Sequence, residues 1–281
     1  MNVAGPPAPA ARGADRRTLY RRVTLVAGLG YGSNGVTLGV VSFALLGLKA
    51  AWGLTTHQAS LVTAAVGAGQ LLGGLSAGYV ADAIGRRAAF GLTVGLSSLA
   101  AATAAAAPSL GWLAAAMLFM GVGFGGVAPV ATSLVSEFAP ADRRGALLGW
   151  TQMLWATGWL VAGVGGIVLA NNLGWRGIFA VGALPLALAL AGPRLIPESP
   201  RFLLAHGRRG KAEALVASLG ARYGVALELP EQDARVAGVR GRALARVVGS
   251  AVPAAVVSVV GGVVYDDRCV SGADPSVSRD A

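Results

Sequence analysis

Long apolar stretches without charged residues recur along the chain, separated by short segments that carry arginine, glycine and proline. A helix needs about 20 apolar residues to cross the hydrocarbon core of a bilayer. The charge-free run from Ala88 to Ser136 is too long for one such helix, and Pro108 and Gly111 supply a turn that divides it. The pattern predicts an all-α membrane protein whose six spans lie at 23–46, 58–81, 88–107, 111–136, 147–169 and 177–195.

The segments between and beyond these spans predict how the chain is organised. They are a basic cytoplasmic N-terminus at 1–22, the six-span bundle at 23–195, a cytoplasmic loop at 196–246, a candidate seventh span at 247–265 and a disordered polar tail at 266–281. Within the loop, Gly210–Leu219 has the pattern of an amphipathic helix, which suits the cytoplasmic membrane surface.

Composition excludes a soluble protein. Charged residues make up 13% of the chain and hydrophobic residues 54%, whereas soluble domains carry about 25% charged residues. Arginines cluster in the N-terminal segment and in the loops after spans 2, 4 and 6, which all lie on one face of the predicted bundle. The positive-inside rule therefore predicts a multi-pass protein of the cell membrane, plasma or inner, with a cytoplasmic N-terminus. This placement accounts for the net charge of +10 without a nucleic acid partner.

Residues that carry catalytic or metal chemistry are scarce. A single cysteine cannot form an internal disulfide, and two histidines do not make a metal site without several carboxylates beside them. The predicted spans hold neither a histidine pair nor paired carboxylates, although an intramembrane enzyme would need a nucleophile with a base or a metal. We therefore expect no enzyme activity, no cofactor and no metal site.

Four short motifs lie in the loops or at their edges. They are Gly78-x-x-x-Asp82-x-x-Gly85-Arg86-Arg87 after span 2, Glu137-x-x-Pro140 with Arg143-Arg144-Gly145 between spans 4 and 5, Gly174-Trp175-Arg176 before span 6, and Pro197-Glu198-Ser199-Pro200-Arg201 after span 6. Glycine at a helix end permits a tight reversal, and aspartate can cap the next helix. Proline breaks a helix, and Glu198 and Arg201 can pair with neighbouring loops.

At these residues the chain resembles the major facilitator superfamily, and within it the sugar porters and their organic-acid and niacin-type relatives. The resemblance covers residues 20–220, the N-terminal half of the family's fold. It implies two six-helix halves that rock around a central cavity and so alternate access to it. It also implies that charged loops latch one conformation, and the gating positions that match the family's motifs are Gly78, Asp82, Gly85, Arg86, Arg87, Glu137, Arg144, Glu198 and Arg201.

Polar and aromatic side chains that face inward are the candidates for contact with a solute. Asn34 and Thr37 in span 1 lie about one turn apart and can share a face of the helix. In span 5, Gln152 and Gly158 reproduce the Gln-x5-Gly spacing of the sugar porters, in which the glutamine contacts the solute. The candidate set is Asn34, Thr37, Gln152, Trp155 and Trp159. For the two tryptophans, core packing and an interfacial aromatic belt are the alternative interpretations.

The resemblance predicts transport of a small solute, a sugar or a small organic acid, by alternating access in a secondary carrier. Protons are a candidate coupling ion, and Thr37 stands where the organic-acid relatives carry an aspartate. Because such carriers pair two six-span halves, the expected partners besides the solute and the lipid bilayer are a missing second half or a second copy in a homodimer. The alternative prediction is a truncated or frame-shifted membrane protein that does not transport: a fragment, a sensor or an assembly partner.

Overall fold

The computed structural model describes residues 9–223, which form helices and no strand. The elements are α1 (Pro9–Trp52), α2 (Thr56–Ile84), α3 (Arg86–Ala105), α4 (Leu110–Phe138), α5 (Arg144–Val181), α6 (Leu186–Leu195), α7 (Pro200–Ala205) and α8 (Arg209–Tyr223). The predicted all-α fold is confirmed. The candidate seventh span at 247–265 and the predicted tail at 266–281 lie outside the described residues.

By length and composition, five helical stretches among the described residues can cross a membrane. They are Arg17–Trp52, Thr56–Ile84, Arg86–Ala105, Leu110–Phe138 and Asn172–Leu195. The fifth predicted span, 147–169, lies within α5 and is not one of these five.

Helix α5 is kinked at Gly174, where φ is 61° and ψ is −176°. Positive φ is open to glycine because it has no Cβ, so this residue permits the kink. The chain becomes helical again at Trp175, passes through a turn at 182–185 and continues into α6. The sixth apolar stretch of the sequence is therefore built from the end of α5 and all of α6.

Hydroxyl side chains cap three of the helices. Thr55 forms a capping box with Gln58 at the start of α2, in which its Oγ1 accepts from the Gln58 N–H at 3.2 Å. Ser109 caps α4 by accepting from the Trp112 N–H at 3.3 Å, and Ser199 caps α7 by accepting from the Phe202 N–H at 3.1 Å. Each cap satisfies an N–H group that has no partner within its own helix.

Glycines let two helix pairs approach at backbone distance. On the α2–α4 pair, a Cβ at Gly69 would collide with the Leu118 carbonyl oxygen and lie 2.9 Å from the Gly121 Cα. On the α1–α5 pair, a Cβ at Gly158 would collide with the Gly32 carbonyl oxygen. Lipid chains are as apolar as the helix surfaces, so association in a membrane depends on such close packing.

The bundle is completed by α3, which packs against α4 and α6, while α1 also contacts α4. Phe90, Met117, Met120 and Phe179 are fully buried among these helices. Outside the bundle, α8 packs against α7 and against α1. This arrangement brings the ends of α2, α4 and α6 to one end of the molecule, where three of the four sequence motifs meet.

We expect Gly69→Val to destabilise the bundle by about 1–3 kcal/mol, because the new side chain collides with backbone atoms of α4 that cannot move aside independently. Gly67→Val is the matched control on the same helix, since no atom lies within 4 Å of a Cβ at Gly67. Unfolding in mixed detergent micelles, followed by circular dichroism, measures both. Equal losses of stability would contradict the proposed role of close α2–α4 contact.

Candidate functional site

A buried ion pair joins the start of α3 to the end of α4. The Arg86 Nη1 contacts the Glu137 Oε1, and the two side chains are only 15% and 5% exposed. The Ser199 hydroxyl donates to the same Glu137 oxygen at 2.8 Å. A buried charge is stable only when it is paired and hydrogen-bonded, and here the three partners come from three different segments of the chain.

Glu198 adds a second carboxylate to this group. Its Oε1 accepts from the Ser199 N–H at 3.0 Å and from the Arg87 N–H at 3.4 Å. The Arg87 N–H lies in the first turn of α3, where the helix dipole favours a negative charge. Glu198 therefore holds the segment before α7 against the α2–α3 turn.

Gly85 makes this contact sterically possible. Its φ of 95° is strained for any residue with a Cβ, and such a Cβ would lie 3.0 Å from the Glu198 Oε2. The close approach explains why glycine precedes the arginine pair of the first motif. We refer to Gly85, Arg86, Glu137, Glu198 and Ser199 as the loop cluster.

The remaining gating candidates lie outside the loop cluster. Asp82 is exposed in the last turn of α2, and Arg144 and Arg201 are exposed at the starts of α5 and α7. Across residues 9–223, neither Arg144 nor Arg201 makes an ion pair. The side chain of Arg87 is half-buried, and Gly78 has open space around it.

Ser199 bridges the cluster and was not among the gating candidates, although it lies in the fourth motif. It is completely buried, and it both caps α7 and donates to Glu137. Its position before Pro200 was the available signal, because serine followed by proline is typical of a helix start.

The two candidates for solute contact in α1 are buried inside the bundle. The Asn34 Nδ2 donates to the Phe124 carbonyl of α4 at 3.2 Å, and the Thr37 hydroxyl donates to the Ser33 carbonyl one turn earlier at 3.0 Å. The Asn34 Oδ1 is buried and accepts no hydrogen bond from the described part of the chain. Asn34 therefore keeps one acceptor that another group can use.

The three candidates in α5 lie on a more open surface. Gln152 is exposed and Trp159 is 38% exposed, while Trp155 is half-buried. The Trp155 and Trp159 rings meet at an angle of 64° with their centroids 6.2 Å apart. These residues follow one another at helical spacing, so they form a continuous strip along α5.

Tyr31 of α1 joins this strip and was not among the sequence candidates. Its ring stacks on Trp155, with centroids 6.0 Å apart and an interplanar angle of 22°. The sequence feature that could have identified Tyr31 is its position one turn before Asn34 on the same helix. We refer to Tyr31, Gln152, Trp155 and Trp159 as the aromatic face.

The chemistry of the aromatic face is that of binding. Its rings offer flat apolar surfaces, and the Gln152 amide offers both donors and an acceptor. In the described part of the chain, no group of three or more His, Cys, Asp or Glu side chains is placed to hold a metal ion. The arrangement suits a small polar solute with a ring or several hydroxyl groups.

Comparison with known proteins assigns the chain to a family. Residues 18–239 match the family described as Sugar (and other) transporter. The chain is 34% identical over 200 residues to the niacin transporter NiaP of Acinetobacter baylyi, an alignment that covers 71% of this chain and 46% of that relative. It is also 34% identical over 207 residues to the inner membrane metabolite transport protein YgcS of Escherichia coli, covering 72% of this chain and 46% of that relative.

Solved structures with the same fold include those of the xylose transporter XylE of E. coli. A partially occluded inward-open form matches with a TM-score of 0.63 and 24% identity, over 72% of this chain and 54% of that one. The proton:xylose symporter XylE bound to 6-bromo-6-deoxy-D-glucose matches with a TM-score of 0.64 and 23% identity, over 73% of this chain and 50% of that one.

The chain spans about half the length of the curated relatives it matches. The family match, the identity to membrane transport proteins and the bundle fold agree with the sequence resemblance. The chain is a membrane protein that belongs to the family described as Sugar (and other) transporter, and its fold is that of the N-terminal half of the XylE structures.

Proposed function

We propose that the chain takes part in transport of a small solute, a sugar or a small organic acid, by alternating access in a secondary carrier. The observation that carries this proposal is the aromatic face, which places an exposed amide beside three aromatic rings on α1 and α5. The names of the relatives support the solute class, because they include a niacin transporter and a xylose transporter.

In this proposal, the solute stacks on Trp155 and Trp159 and hydrogen-bonds to Gln152. Asn34 and Thr37 contribute from the neighbouring helix when α1 shifts, because the Asn34 Oδ1 has no partner among the described residues. We assign no proton-coupling role to the aromatic face, since it contains no carboxylate.

The loop cluster supplies the latch of the proposed cycle. It ties the start of α3, the end of α4 and the segment before α7 into one buried network. While Arg86 and Glu137 remain paired, these segments of the bundle stay together, and in the proposed cycle the pair favours one arrangement of the loops on this side. Transport also requires a second six-helix bundle opposite the aromatic face, from a second half or a second copy.

Uptake into proteoliposomes tests the proposal directly. We expect accumulation of at least one of xylose, myo-inositol, nicotinate or nicotinamide above the level in empty vesicles. Co-reconstitution with a second half from a relative is the companion experiment, because it supplies the bundle that the proposal requires. If none of the four solutes enters in either format, the carrier proposal fails and a non-transporting role is favoured.

We expect Gln152→Ala to weaken solute binding about 3- to 10-fold, the effect of losing one hydrogen bond to an uncharged group. Tryptophan fluorescence measures the binding, because Trp155 and Trp159 adjoin the site. Thr157→Ala is the matched control: its hydroxyl is exposed on the same helix and donates to the Met153 carbonyl at 2.8 Å. Unchanged affinity in Gln152→Ala would remove this residue from the site.

We expect Arg86→Ala to lower the uptake rate at least ~10-fold while changing solute affinity less than 2-fold, because the arginine lies in the latch and away from the aromatic face. It should also lower the thermal stability, since Glu137 would keep a buried charge without its partner. Arg209→Ala is the control, because it removes an exposed pair with Glu213. A variant that loses affinity but keeps its turnover would contradict the latch role.

A further inference from the structure

A group of arginines at the junction of α1 and α8 takes no part in the loop cluster or the aromatic face. Arg17, Arg21 and Arg22 lie on α1 just before its apolar stretch, and Arg222 lies at the end of α8. None of the three ion pairs found within residues 9–223 includes any of these four arginines.

The two helices are held together by an apolar contact. Leu19 and Val23 of α1 pack with Phe138 of α4 and with Leu219 and Tyr223 of α8, and all five side chains are buried. This packing positions α8 beside the point where α1 enters the membrane. The apolar packing therefore fixes the position of α8 against α1.

Tyr223 brings two of the arginines to the same spot. The Arg22 Nη1 donates to the Tyr223 hydroxyl at 3.4 Å, and the Arg222 guanidinium lies 5.7 Å from the centroid of the same ring. Two like charges that converge on one ring repel each other unless an anion lies nearby. Arg21 is exposed on the adjoining surface of α1 and adds to the positive potential.

The position of these arginines along α1 indicates which kind of anion they would bind. Residues 17–22 end where the apolar part of α1 begins, so the group lies at the level of the lipid headgroups. Clusters of arginines next to a membrane span attract anionic lipids. Arginine also matches the phosphate group with two parallel hydrogen bonds.

We propose that Arg22, Arg222 and Tyr223 form a binding site for the headgroup of an anionic phospholipid. The phosphate lies between the two guanidinium groups, and Arg21 provides additional attraction. Binding neutralises the repulsion at Tyr223 and so strengthens the docking of α8 on α1. This site is independent of the proposed transport activity, because it shares no residue with the loop cluster or the aromatic face.

Lipid binding to the full chain in detergent tests the proposal. Native mass spectrometry would compare phosphatidylglycerol, phosphatidylcholine and inorganic phosphate as probes. We expect wild type to retain phosphatidylglycerol in preference to phosphatidylcholine, and added salt to weaken the preference. Equal retention of the two lipids would overturn the proposal. Displacement of phosphatidylglycerol by millimolar inorganic phosphate would also overturn it, since it would indicate a site for the free anion.

A pair of double variants with the same change in charge locates the site. We expect Arg22→Gln with Arg222→Gln to weaken retention of phosphatidylglycerol about 10-fold. The control is Arg194→Gln with Arg209→Gln, which removes two exposed arginines whose guanidiniums already have partners, the Leu190 carbonyl and the Glu213 carboxylate. Equal losses in the two double variants would contradict a specific site.

A third variant separates lipid binding from folding. Arg22→Lys with Arg222→Lys keeps both positive charges, and we expect it to keep most of the preference for phosphatidylglycerol. Circular dichroism and size-exclusion chromatography report whether each variant is folded. If the glutamine variant does not fold, comparison of the wild-type and lysine forms still tests the lipid site. Loss of the preference for phosphatidylglycerol in the folded lysine form would contradict a charge-based site.

Discussion

Close approach of helix backbones is the constraint on which the rest of this structure depends. In a bilayer, helices gain little from burying apolar surface against one another, because lipid offers an equally apolar environment. Contacts at Gly69 and Gly121 in α2–α4, and at Gly32 and Gly158 in α1–α5, bring carbonyl groups of one helix to within atomic contact of the next. The remaining helices pack against these two pairs. Side chains far apart in sequence therefore meet at fixed positions.

The loop cluster follows from this packing. Because α4 lies against both α2 and α3, its last turn brings Glu137 to the turn where Gly85 and Arg86 connect those helices. A buried carboxylate is costly unless its partners are held in place, and a network satisfied in only one arrangement of the helices favours that arrangement. The Glu137 Oε2 is buried and has no hydrogen-bond partner in the described part of the chain, so the network is only partly satisfied. Such a network can hold a conformation without making it permanent.

The sequence alone predicted the helical fold and the family, because charge-free lengths and loop motifs are local signals. It also named Arg86, Glu137 and Glu198, which do meet in space. It did not identify Tyr31 or Ser199, whose roles arise from stacking and hydrogen bonding to residues that are over 60 positions away. Helix geometry relates positions three or four residues apart, whereas the partner of a side chain in another helix depends on crossing angles and distances that local patterns do not contain.

The exposed amide of Gln152 on α5 links the aromatic face to the proposed function. Gln152 is exposed, and an amide that faces hydrocarbon without hydrogen bonds costs several kcal/mol, on the order of 4–8 by transfer to an apolar liquid. A helix that simply faced lipid would gain stability from an apolar residue at this position. The exposed amide beside Trp155 and Trp159 is favourable where water, a polar solute or a second bundle covers it. Each of these environments belongs to a cavity between two halves, and this is the arrangement that alternating access requires.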